Sequence, residues 1–164
     1  MKTMYTFFAL LLICSQVFAI TTPERIQQIK IKADSLSLET LFNHVIVDHT
    51  LTYPAPAGAF FIGNGQYRIS INDSIFNTVS VAGQLFIQYH ELGHIYLGHT
   101  EMDPAIKNHF EIELEADYFG AFLYRRFERA NEEIRAFLDF IALRPTNPPG
   151  ELRASIIKSI IFAP

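Results

Sequence analysis

The sequence predicts an α+β fold, and three observations predict it. Two short alternating apolar runs, Ala59-Phe60-Phe61-Ile62 and Tyr67-Arg68-Ile69-Ser70-Ile71, flank Gly63-Asn64-Gly65. Asn-Gly between such runs is a strong hairpin signal. Downstream, four segments carry apolar residues at helical rather than strand spacing. Strands grouped together, with a helix before them and helices after, describe segregated rather than alternating elements. The expectation is a small sheet with an antiparallel edge, packed on one long helix and accompanied by several others.

The elements follow in order. Thr22-Pro23-Glu24 reads as a helix start: a capping hydroxyl, proline at the first helical position, an acid in the first turn. That helix is expected to run through Ile26 and Ile29 towards Phe42 and Val45, with a break near Asp34-Ser35. The turn-rich stretch Tyr53-Pro54-Ala55-Pro56-Ala57-Gly58 leads into the hairpin, where Ile69 and Ile71 alternate with Arg68 and Ser70 as on a half-buried strand. From Val79 to Leu97 the spacing of Leu85, Tyr89, Leu92 and Tyr96 is helical, and Gly98 is the stop. Further helices are expected over 108–129 and 131–143, and from Pro148-Pro149 onwards through Leu152, Ile156, Ile157 and Ile160.

The chain's 164 residues give room for one domain with a real core, and 49% of them are hydrophobic, which excludes long disorder. Part of that apolar weight lies in front of the fold. Met1-Lys2, the unbroken run Phe7 to Ile13 and the small-residue site Val17-Phe18-Ala19 have the layout of a secretory signal peptide cleaved near Ala19. The expected organisation is a signal peptide over residues 1–19 and one domain over 20–164, exported to the periplasm or beyond. The rival is an uncleaved membrane anchor through residues 4–20. Ser15 and Gln16 interrupt it, and its apolar core falls short of the roughly 20 residues a spanning helix needs. Cys14, the one cysteine, lies inside this segment, so the exported chain has no disulfide, thiolate ligand or cysteine nucleophile. Any metal must be held by histidines and carboxylates. Removal of residues 1–19 takes Lys2 and no acid, leaving 12 Lys and Arg against 17 acids, a net charge of −5. With no basic patch, nucleic acid is not an expected partner.

The chemistry gathers at His90-Glu91-Leu92-Gly93-His94. Residues four apart on a helix share one face, so His90 and His94 can offer ring nitrogens to one metal ion. Glu91 stands at the edge of that face, where it serves as a general base towards a water on the ion rather than as a ligand. A five-residue pattern arises by chance, so its setting decides its weight. The motif sits on an amphipathic helix, and the sheet before it supplies an edge that can bind a peptide backbone. About twenty residues on, a second helix carries Glu111-Ile112-Glu113-Leu114-Glu115-Ala116-Asp117. A catalytic zinc takes three protein ligands and keeps one position open, so one acid of this cluster is wanted as the third.

His90-Glu91-Leu92-Gly93-His94, followed by Glu113-x-x-Ala116-Asp117 and Phe119, resembles the gluzincin metallopeptidases. It is most similar to the HtpX and CAAX-prenyl-protease family, with ImmA/IrrE-like peptidases as near relatives. The resemblance implies a zincin-like domain with Zn2+ as cofactor, Glu113 as third ligand, and Asp117 supporting a zinc-bound histidine from behind. Positions 113 and 117 share a helix face, and a carboxylate behind a ligating imidazole fixes its tautomer. The similarity extends over about Ala57 to Arg153. It includes Thr146-Asn147-Pro148 followed by Arg153, where Asn147 stands in place of a histidine common in that family. Those family members are integral membrane enzymes, and the spanning helices have no counterpart here.

The remaining candidates have blander readings. Glu111 and Glu115 are expected on a solvated face. His109, four residues before Glu113, can approach the site but reads first as a surface or capping residue. His99, five residues after His94, is expected to point away from the ligands. Metzincins place a third histidine six residues after the second, and Thr100 stands there. His44 and His49 are expected to be structural, at the end of the first helix, and Gly93 to admit a close neighbour. The function implied is a zinc-dependent metalloendopeptidase acting on a protein or peptide, with Glu91 as its acid-base residue. The rival reading is a non-catalytic zincin-fold binding or envelope assembly protein, against which the presence of Glu91 weighs.

Overall fold

The computed structural model describes residues 21–164 other than 104, 106 and 107, so the predicted signal peptide lies outside the described residues. The first helix, α1 (Pro23–Asp34), starts as its sequence dictates: the Thr22 hydroxyl accepts the Arg25 N–H at 3.2 Å, with Pro23 in the first turn. It stops at Asp34. A single turn follows, α2 (Leu38–Leu41), closed by the reciprocal capping of Ser37 and Thr40.

The expected helical continuation to Val45 is overturned. Val45–Thr50 is a strand, β1, and pairs in parallel with β3 (Gln66–Asn72) from Val45↔Tyr67 to Thr50↔Asn72. The run Val45-Ile46-Val47 is β-branched, and such side chains lose rotamer freedom in a helix and sit well on a pleated surface. His49 is therefore a strand residue, exposed and bonded through Nδ1 to Asp73 at 2.8 Å. His44, at φ 64°, turns the chain into β1.

The hairpin forms where it was expected. β2 (Ala57–Gly63) runs antiparallel to β3, and the turn residues Asn64 and Gly65 have φ 53° and 69°. Two positive φ values in a two-residue turn fit the right-handed twist of the strands, which is why Asn-Gly is favoured there. Among the described residues, the strand order β1-β3-β2 leaves one side of β2 unpaired. After a single turn, α3 (Asp73–Phe76), the long helix α4 (Val81–Tyr96) begins with Ser80 as cap. It ends at Gly98, whose φ of 78° turns the chain into a short 3-10 segment, His99–Glu101. Three more helices complete the fold: α5 (His109–Phe127), α6 (Glu132–Ala142) and α7 (Gly150–Ile161). The described residues thus form one small mixed sheet and seven α-helices, the α+β class the sequence predicts.

The core lies where α4 meets the sheet on one side and α5 on the other. Ile69 and Ile71 of β3, Phe86, Tyr89 and Leu92 of α4, and Phe119 and Leu123 of α5 are all buried. Burial of each such side chain contributes about 1.5–3 kcal/mol. α5 is covered on its other faces by α1 and α7. Gly93 lets α4 and α5 approach: a Cβ there would stand 3.0 Å from the Ala116 Cα. The close neighbour of Gly93 is therefore α5. Among the described residues no helix is long and apolar enough to cross a membrane.

Candidate metal centre

The α4–α5 crossing brings three predicted ligands together. Nε2 of His90 and Nε2 of His94 lie 3.1 Å apart. Glu113, projecting from α5, places Oε2 3.5 Å from the first nitrogen and Oε1 3.4 Å from the second. A tetrahedral ion with bonds near 2.05 Å sets its ligand atoms about 3.3 Å apart. The three separations, the last two ending on different oxygens of the Glu113 carboxylate, lie near that value, and one ligand atom from each residue lies within 4.8 Å of the others, so the group could hold one metal ion.

The hydrogen bonds behind the histidines aim both rings at this seat. His90 Nδ1 lies 2.9 Å from Asp117 Oδ1, and Asp117 is completely buried. A carboxylate can only accept, so Nδ1 carries the proton and Nε2 turns inward. Asp117 is in turn held by the Arg153 fork of α7, Nε to Oδ2 at 2.7 Å and Nη2 to Oδ1 at 2.9 Å. His94 is backed by another route: its Nδ1 is 3.2 Å from His99 Nδ1, and His99 Nε2 is 3.0 Å from Glu115 Oε2. Glu115 receives the Arg25 fork from α1, both bonds at 2.6 Å.

These contacts correct two expectations. His99 does not point away. Gly98 breaks the helix in a left-handed conformation, so the residue after it folds back beneath His94 and is 2% exposed. Glu115 is not on a solvated face, being 5% exposed and covered by α1. The signals missed were non-local: Arg25 and Arg153 are 90 and 36 residues from the acids they grip. Gly98 was the one local clue, since a helix that ends there releases His99 from helical geometry.

The charges explain why Glu113 is the acid left for a cation. Asp117 and Glu115 each have an arginine in bidentate contact, whereas Arg153 comes only to 3.7 Å of Glu113. Burial raises the Glu113 carboxyl, yet the two facing imidazoles more than offset it and hold the group far below the ordinary carboxylate range. Burial disfavours the charged form of His90, but Asp117 and Glu113 carry it up to about 10. Burial leaves His94 lowered.

The chain matches no family model, no curated protein and no solved structure. The likeness to gluzincins therefore stands on these residues themselves.

Glu91 and its surroundings complete the site. It is 6% exposed. Burial first, and Glu113 after it, push this carboxyl up to about 7 against the opposing pull of His90 and Arg153. A cleft of about 1020 Å³ opens over His90, Glu91, His94 and Glu113. One wall is β2 with Tyr53 and Pro54 before it; the other includes Ile75, Phe86, Ile87, Phe137, Phe140 and Ile141. His109 stands at the rim, its ring 3.9 Å from Glu113 Oε1 and largely exposed, as a surface histidine near the site rather than one of the three. Asn147 also borders the cleft.

Proposed function

We propose that this protein is an exported zinc-dependent metalloendopeptidase whose ligands are His90, His94 and Glu113. The observation that carries the reading is the convergence of two imidazole Nε2 atoms and one carboxylate at tetrahedral spacings. The donor set is the nitrogen and oxygen mixture that zinc accepts, and three protein ligands would leave one coordination position open. Bound there, zinc would supply Lewis acidity, polarising a scissile carbonyl and acidifying a water.

The protein's own groups then have definite tasks. The Glu91 carboxylate takes the proton from the attacking water and returns it to the leaving amine nitrogen. The unpaired side of β2 aligns a substrate backbone by strand addition, so the susceptible bond belongs to an extended protein or peptide segment. The apolar wall formed by Phe86, Ile87 and Phe137 limits water around the reacting atoms. Export is supported by the signal-peptide layout of residues 1–19.

Zinc analysis of the purified protein, with wild type and Glu91→Gln compared on a peptide library, tests this. The expected result is stoichiometric zinc in both and cleavage by wild type alone. Cleavage by the Glu91→Gln variant, or loss of its zinc, would sink the role given to Glu91. A wild type that binds no zinc would sink the metal reading itself.

A further inference from the structure

The two histidines of the seat are anchored on different parts of the fold. Behind His90 stand Asp117 and then Arg153 of α7. Behind His94 stand His99, Glu115 and then Arg25, which belongs to the first helix of the described chain. We propose that His99, Glu115 and Arg25 are positioning residues of the metal seat, and that through them its affinity for metal depends on the docking of α1. The proposal rests on the metal reading above.

The argument is one of proton placement along a buried chain. Glu115 offers only acceptor oxygens to His99 Nε2, 3.0 Å away, so that nitrogen carries the hydrogen. In the neutral ring His99 Nδ1 is then a bare lone pair. Its neighbour at 3.2 Å, His94 Nδ1, must be the donor of that contact. His94 Nε2 is consequently without hydrogen and free to bind a metal. Without Glu115, the other His99 tautomer becomes available. Its Nδ1–H would face His94 Nδ1 and move the His94 proton to Nε2, into the seat. The chain thus excludes the tautomer that blocks the metal.

Arg25 is what makes Glu115 dependable. Its fork bonds both carboxylate oxygens at 2.6 Å and leaves Oε2 turned to His99. That fork reaches α5 only while α1 lies against it. Ile29 and Ala33 bury the middle of α1, and Arg126 of α5 grips the carbonyls of Ala33, Asp34 and Leu36 at its far end. Because linkage is reciprocal, metal on His94 must hold α1 down as firmly as α1 favours metal.

Two measurements on the whole chain test this. The first is zinc affinity by competition with a chromophoric chelator. Glu115→Gln and Arg25→Met are expected to weaken binding about 10–100-fold, the usual effect of removing a partner behind a ligating histidine. Lys30→Ala, which removes only an exposed pair within α1, is expected to leave affinity within about twofold. Wild-type affinity in both Glu115→Gln and Arg25→Met would overturn the proposal while leaving the metal reading intact. Absence of zinc binding in wild type would instead remove the metal reading. The second measurement needs no variant: long-range nitrogen–proton NMR on the zinc-loaded wild type. It should find hydrogen on His99 Nε2 and on His94 Nδ1, and the opposite tautomer at either ring overturns the proposal.

Discussion

Gly120 of α5 lies against the backbone of His90: a Cβ at position 120 would stand 3.0 Å from the His90 amide nitrogen. With Gly93 facing Ala116 from the other helix, this sets how near α4 and α5 can come. The metal seat depends on that distance, because two of its ligands are on α4 and the third is on α5.

Gly120→Val is therefore expected to force the two helices apart. Branched bulk against backbone atoms cannot be relieved by a side-chain rotation, and such overpacking costs about 1–3 kcal/mol. Chemical denaturation should show that loss, and zinc affinity should fall with it. A variant with unchanged stability and unchanged zinc binding would show that the crossing tolerates a wider spacing.

Metal removal gives the second prediction. A ligand that binds only the folded chain stabilises it by about 4 kcal/mol when its concentration is a thousandfold above Kd. The melting temperature of the zinc-loaded protein should therefore drop on chelation and recover when zinc is restored. Glu113→Gln should melt at the same temperature with or without zinc, since it lacks the one carboxylate placed between His90 and His94. A zinc-dependent shift that persists undiminished in Glu113→Gln would take Glu113 out of the ligand set.

Asp117 and Arg153 separate stability from metal binding. Both are buried or nearly so, and Asp117→Leu leaves the guanidinium without its partner. Breaking a buried pair from one side costs about 3–5 kcal/mol. Adding Arg153→Met removes the stranded charge and should recover most of that loss. Zinc affinity should stay about 10–100-fold down in both, because in neither does His90 Nδ1 keep its acceptor. Restored zinc binding in the double variant would mean that Asp117 acts only by neutralising Arg153.

How much of this was legible in the sequence depended on the distance over which each feature is determined. His90, Glu91 and His94 share one helix, so their spacing alone placed them. Asn64-Gly65 specified its own turn. Glu113 and Asp117 share a second helix, and spacing put them on one face; their roles came from the gluzincin resemblance. β1 escaped because Val45-Ile46-Val47 becomes a strand through a parallel partner twenty-two residues away, at Tyr67-Arg68-Ile69. Glu115 was misread because a helix wheel assigns one inner face, whereas α5 is enclosed by α4, α7 and α1. Arg25 and Arg153 could not be paired with their acids before the helices carrying them were packed.

Acid should reveal the Arg25–Glu115–His99 cluster in the metal-free protein. Burial raises the Glu115 carboxyl, but hydrogen bonds from Arg25 and His99 more than offset it and hold the group at about 2, against an ordinary 4.5. A carboxylate whose pKa is depressed by folding stabilises the native state fully above its unfolded value. That stabilisation is lost as pH falls through the folded value, so the window here runs from about 4.5 down to about 2. The difference corresponds to about 3 kcal/mol for this buried group. The stability gap between wild type and Glu115→Gln, measured by urea unfolding without zinc, should be largest near neutrality and close progressively across that window. A gap that stays constant from pH 7 to pH 3 would mean that Glu115 stabilises the fold by packing rather than by its charge.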